Sequence, residues 1–211
     1  MGIKYRDSKK AEVCAKPKTF EFPANVKQIG SINHGLKIYI EDYAYSYIQK
    51  LSVKKDSKET AALLIGYQTT ELTEQILVIM GAIRPPALTF SKDGQVFTDD
   101  DFNFTSRIIE KDFEGMEIVG WARVQPGYGL YLSASDIGNH YLNFTDKHSV
   151  LFLCDTEERM DCFFTWNENQ DDLEEASGYF IFFEKNNGMN SMLTSLPQPE
   201  KRSTKEQKER V

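Results

Sequence analysis

Residues 120–136 read GWARVQPGYGLYLSASD, and this stretch sets the architecture on either side of it. Its first residues close an apolar segment, Glu117 to Val124, with the length and composition of a strand. Pro126, Gly127 and Gly129 then break any regular period and mark a tight loop, on which stand three large side chains, Tyr128, Leu130 and Tyr131. Ser133, followed three residues later by Asp136, is a helix start: the hydroxyl accepts an orphaned backbone N–H, and the acid returns a bond to the cap's own N–H. The helix predicted from this signal runs from Ser133 to Phe144, with Ile137, Tyr141 and Phe144 on one side.

Upstream, Leu36 to Ile40 is a short strand, and from Glu41 the spacing turns helical, with Ala44, Tyr47, Ile48 and Leu51 on one face. Thr60 to Tyr67 and Gln75 to Ile83 are apolar runs joined by a polar connection, which predicts two neighbouring buried strands. Pro85 and Pro86 stop the second, and a loop with Asp93 and Gly94 follows. Asp99, Asp100 and Asp101 invite a metal-site reading, but their spacing fails the calcium-loop pattern. Behind Thr98 they form the first turn of a helix carrying Phe104, Ile108, Ile109 and Phe113. Downstream, strands are predicted at Ser149 to Cys154, Met160 to Trp166 and Gly178 to Phe183. The order implies an α/β sandwich with a central mixed sheet flanked by helices, rather than a doubly wound parallel sheet.

One domain, residues 31–185, accounts for this pattern. Residues 1–30 mix Lys, Pro and Gly without a sustained period and predict a flexible basic arm, its end pinned by Phe20, Phe22 and Val26. From Asn186 the apolar content collapses, and residues 186–211 read as a disordered basic tail or linker. The net charge of -7 is unevenly spread. Residues 1–29 carry seven Lys/Arg against three acids and residues 185–211 six against three, which leaves the body at -14. Such a body argues against nucleic acid as a partner, because phosphate contact needs a basic face. Neither a signal peptide nor a membrane span is visible. Cys14, Cys154 and Cys162 are too few and too irregular for a disulfide scaffold or a CxxC zinc site, so a reducing, cytoplasmic setting is expected, with Cys154 and Cys162 in the core. His34, His140 and His148 pair with no Cys or acid at ligand spacing and read as surface or boundary histidines.

The loop resembles the signature of the JAB1/MPN/Mov34 (JAMM) family, in which a strand ending Gly-Trp enters His-x-His-Pro-Gly-Tyr-Gly, then a Ser and an Asp. Gly120, Trp121, Pro126, Gly127, Tyr128, Gly129, Ser133 and Asp136 all fall in register, while Arg123 and Gln125 stand at the two histidine positions. A second segment, Lys58 to Gly66, resembles the family's general-base strand, with Glu59 at the base position, Ala62 as the small residue and Gly66 closing it. A third, His148 to Asp155, is similar to the family's next core strand, which commonly ends in Asp. The resemblance runs from about Leu36 to Trp166 and implies an MPN/JAB-like, cytidine deaminase-like α/β sandwich.

In that family the histidines and the Asp hold zinc, the Glu works through the metal-bound water, and the Ser helps to stabilise the oxyanion. Arg123 has no lone pair to give and stays protonated, and Gln125 offers only an amide oxygen. The resemblance therefore implies a pseudoenzyme without metal or cofactor, in which Glu59 and Ser133 keep catalytic positions without catalysis. Converging carboxylates at Glu59 and Asp136 need a cation. Arg123 supplies one if it folds into the metal position and pairs with either acid; the alternative has it pointing to solvent. The helix cap explains Ser133 and Asp136 without chemistry, and is the preferred reading. Family domains lacking the motif commonly serve as partners in multisubunit assemblies, often beside an active relative. The expected role is thus a protein-interaction or scaffold module, with Tyr128, Leu130 and Tyr131 as contact surface unless they pack on the body. Two alternatives stand beside it: a metal-dependent isopeptidase or peptidase with a rearranged ligand set recruiting His140 or His148, and a peptide-sensing domain in which Arg123 clamps a carboxylate.

Overall fold

The computed structural model describes residues 20–32, 35–51, 59–86, 88, 96–184 and 187–196. Expectations for residues 1–19, His34, the Asp93-Gly94 loop and the chain beyond 196 lie outside these. The elements are β1 (Val26–Gly30), β2 (Lys37–Glu41), α1 (Asp42–Lys50), β3 (Thr60–Glu71), β4 (Glu74–Ile83), α2 (Asp99–Asp112), β5 (Glu117–Val124), α3 (Ala134–Asn143), β6 (Val150–Asp155), β7 (Met160–Trp166), β8 (Leu173–Glu175), β9 (Gly178–Phe182) and α4 (Asn187–Ser195). The strands form one mixed sheet in the order β1-β9-β2-β4-β3-β5-β6-β7-β8. Pairing is parallel where β2 meets β4 and β9 and where β5 meets β6, and antiparallel elsewhere. This is the mixed α/β class read from the sequence.

Alternation along the central strands sorts the sheet into two faces. Ala62, Leu64, Ala122, Val124, Phe152 and Cys154 pack with Ala44, Tyr47 and Ile48 of α1 and with Met189 and Leu193 of α4. Their sequence neighbours Ala61, Leu63, Trp121, Leu151 and Leu153 face the other way and meet Phe144 at the end of α3. Gly120 has no room for a side chain, because a Cβ there would run into the Val150 carbonyl where β6 passes. The sheet also curls, so that β7 reaches β9. Asp161 on β7 accepts hydrogen bonds from Tyr179 of β9 and, at 2.8 and 3.0 Å, from Tyr45 Oη and Gln49 Nε2 of α1. Burial, reinforced by the Asp161 charge, raises the pKa of both phenols.

Several sequence boundaries need correction. Residues 26–30, assigned to the arm, form β1; Phe20 is buried, but Phe22 and Val26 are exposed. Residues 187–195, assigned to the tail, form α4, whose Met189 and Leu193 enter the core. β8 was not expected at all. The inward face of α3 is also different: its buried residues are Asp136, Asn139 and His140, while Tyr141 is exposed. The cause is that each of the three meets a polar partner: Asp136 faces Arg123, Asn139 Oδ1 accepts from Val96 N, and His140 Nδ1 accepts from Trp121 within an aromatic surround. No helix among the described residues is long and apolar enough to cross a membrane.

Candidate functional site

Alternation along β5 turns Trp121 and Arg123 toward α3, and Gln125, the next residue on that side, follows just past the strand end. β3 runs antiparallel to β5 with Ala61 opposite Arg123, so Glu59, two residues before Ala61, shares the same side. The first turn of α3 lies over this point and brings in Asp136. The structure thus gathers Glu59, Arg123, Gln125, Ser133 and Asp136 at the C-terminal end of β5.

Arg123 bridges the two acids. Its Nη2 donates to Glu59 Oε2 at 2.6 Å, and its Nε lies 3.5 Å from Asp136 Oδ1. The Arg123 side chain is 8 % exposed and that of Asp136 1 %, whereas Glu59 is 37 % exposed. The pairing with Asp136 is therefore a buried contact, and that with Glu59 faces water. The solvent-pointing alternative for Arg123 is not what the chain adopts. Asp136 Oδ2 accepts from Ser133 N at 3.0 Å and Ser133 Oγ at 2.6 Å, while Asp136 N donates back to Ser133 Oγ at 3.2 Å. This is the capping box expected from the sequence, and it leaves the Ser133 hydroxyl committed to the helix start.

Gln125 acts as a donor rather than a ligand. Its Nε2 bonds to the carbonyls of Gly129 at 3.0 Å and Tyr131 at 2.9 Å, which ties the loop down from inside. A residue not assigned a role from the sequence ties it from the other side. Asp155, at the end of β6, accepts from the backbone N–H groups of Gly127, Glu157 and Glu158 on Oδ1 and of Gly129 on Oδ2, at 2.6 to 3.1 Å. Burial alone would raise its pKa, but these four bonds lower it below the ordinary carboxylate value. Gly127 and Gly129 both take positive φ, +78° and +66°, which suits glycine. The result is a rigid loop whose Tyr128 and Tyr131 stand 67 % and 73 % exposed. Leu130 departs from the expected trio, since it packs with Leu132 against the Trp121 cluster.

The remaining candidates take other places. His140 is fully buried, not a surface residue: Trp121 Nε1 donates to its Nδ1, and its Nε2 meets Ser149 Oγ, each at 3.3 Å. Burial pushes its pKa down to about 4. His148 precedes β6, at the opposite end of the parallel β5/β6 pair from Arg123, and its Nδ1 lies 3.1 Å from Gln68 Oε1. Cys154 and Cys162 are buried, and desolvation pushes both thiols up to about 12, away from any nucleophilic role. Among the described residues no group of three or more His, Cys, Asp or Glu side chains is placed to hold a metal ion.

No family model matches the chain, and no curated protein matches it. Among solved structures, the chain is similar to the solution structure of protein DSY2949 from Desulfitobacterium hafniense, with 15% sequence identity over 70% of this chain and 93% of that one and a TM-score of 0.49. That likeness is too remote to bear on function.

Proposed function

We propose that this chain is a catalytically inactive domain of JAB/MPN type that serves as a protein-interaction or scaffold module, with the Arg123 side chain in place of the metal. The observation that carries this reading is the guanidinium between Glu59 and Asp136, at 2.6 and 3.5 Å. A permanent cation there attracts both carboxylates and offsets part of their mutual repulsion, as a metal would. Zinc does not fit the residues present: the donor set reduces to Asp136, whose outward oxygen faces Arg123, and the Gln125 amide is turned to the loop carbonyls. A rearranged ligand set draws no support from His140 or His148, which are engaged elsewhere. A carboxylate-sensing role would require an incoming group to displace Glu59 from Arg123.

Tyr128 and Tyr131 are the contact residues of this reading, because exposed aromatic side chains on a braced loop lose little freedom on binding. The partner is a protein, an MPN-type relative or a multisubunit assembly, in the cytoplasm. Affinity capture from the native source tests it with the full chain as bait beside a Tyr128→Ala/Tyr131→Ala variant. A partner held by the wild type and lost from the equally stable variant is the expected result. Equal capture by both would remove the loop from the interface.

A further inference from the structure

The two edges of the sheet are unlike. β8 has three residues, and two of them, Glu174 and Glu175, are exposed acids; short, like-charged edges repel an added strand. β1 has five residues, VKQIG, with Lys27 its one charge, and among the described residues no strand lies beyond it. Phe22, Val26 and Phe183 are exposed beside it. Phe22 and Val26 continue the buried cluster of Phe20, Tyr39 and Phe182, since the rings of Phe20 and Phe22 meet at 5.0 Å and Val26 pairs with Phe182, whereas Phe183 alternates to the opposite face.

The pairing of β1 with β9 fixes the direction of its peptide groups. Phe183 N donates to the Asn25 carbonyl at 3.2 Å and Ser31 N to the Ser177 carbonyl at 2.9 Å. Residues alternate in an antiparallel ladder, so Lys27 and Ile29 also turn toward β9, while Val26 and Gln28 turn their N–H and C=O to the open edge. Gln28 is the middle residue of the strand, and its own Nε2 donates to the Gly30 carbonyl at 3.0 Å.

We infer that β1 is the interface with a second copy of this chain, the two strands pairing antiparallel about a two-fold axis at Gln28. This register sets Gln28 against Gln28 of the second copy, Val26 against Gly30, and Lys27 against Ile29. Outward peptide groups then meet their own complements, as an isologous contact requires, and no like charges lie directly opposite. Val26 of each copy is then covered by the strand of the other. The charge distribution favours a second copy as the occupant. The first 29 residues, which lead into β1, carry seven Lys/Arg against three acids within a chain of net charge -7. Each copy thus brings a basic segment to a partner with an acidic body.

Sedimentation velocity over a concentration series tests this with the full chain and with Gln28→Pro. Proline at an outward-facing edge position spares the β1/β9 bonds but removes the central donor and obstructs the incoming strand. A wild-type dimer and a monomeric Gln28→Pro with unchanged circular dichroism are expected. A wild type that stays monomeric, including one that binds only a different protein's strand, overturns the inference, as does a dimer that persists in folded Gln28→Pro. If that variant loses its fold, Gln28→Cys in a Cys14→Ser background replaces it. The Cα atoms of a hydrogen-bonded antiparallel pair lie ~5.5 Å apart, within disulfide reach. Mild oxidation then yields a covalent dimer, and failure to cross-link overturns the inference.

Discussion

Two buried aspartates bracket the loop between β5 and α3, and each is held by different partners. Asp155 is surrounded by four backbone N–H donors from two adjoining turns. Asp136 has two donors, both from Ser133 and both on one oxygen, and its other oxygen faces Arg123. Where the backbone supplies donors on every side, a carboxylate needs no cation. Where a second acid converges, as Glu59 does, a cation is needed, and here a side chain brings it.

Removing the four-donor acceptor is expected to have the largest effect. Asp155→Ala leaves those N–H groups without their acceptor and should cost about 3–5 kcal/mol, read as a fall in the urea midpoint. A loss under about 1 kcal/mol would mean that the loop holds itself. Because folding lowers this carboxyl's pKa, its stabilisation is complete above the unfolded value of ~3.9 and is lost as pH falls through the folded value. Asp155→Asn should remove that acid-dependent part.

Next comes the cation. Arg123→Met should cost about 3 kcal/mol through Asp136, with a smaller share from the half-exposed Glu59. Combined with Asp136→Asn it should cost less than the two changes summed; strict additivity would deny that the pair is coupled. A third buried ionisable group, His140, sharpens the contrast, because burial keeps it neutral. The unfolded chain takes up its proton near the ordinary value of 6.5 and the folded chain only at about 4. Stability is thus complete above 6.5 and declines by on the order of 3 kcal/mol as pH falls to 4. Thermal melts of His140→Gln should show a flatter pH dependence across that window. The smallest effect belongs to the exposed side of the loop: Tyr128→Ala with Tyr131→Ala should change stability by no more than about 0.5 kcal/mol.

The elements that were legible in the sequence carried local signals. Thr98 and Ser133 marked helix starts, and the apolar runs of β4 to β7 gave their strands nearly to the residue, while β3 runs on through polar residues to Glu71, past the expected end at Tyr67. β1 was not legible because most of its residues are exposed, so no alternation is imposed on VKQIG. In α4 the spacing of Met189, Met192, Leu193 and Leu196 was a helical signal masked by an Asn- and Gly-rich start. At the site, charge made Arg123 a candidate partner for Glu59 and Asp136 but left a solvent-pointing side chain equally open, and the geometry shows the pairing. The roles of Asp155 and His140 did not follow, since Gly127 and Trp121 lie 28 and 19 residues from them in the chain. Polar residues on the inner face of α3 resist the apolar periodicity by which buried faces are found.

On the proposed function, the Arg123 guanidinium stands where a metal would be held. Metal analysis of the purified wild type beside Arg123→His/Gln125→His tests it most directly. Two imidazoles joined to Asp136 would supply three ligands and remove the positive charge, so the double variant should bind about one equivalent of zinc and the wild type none. Stoichiometric zinc in the wild type, lost on Asp136→Ala, would contradict the account, as would a folded double variant that binds no metal.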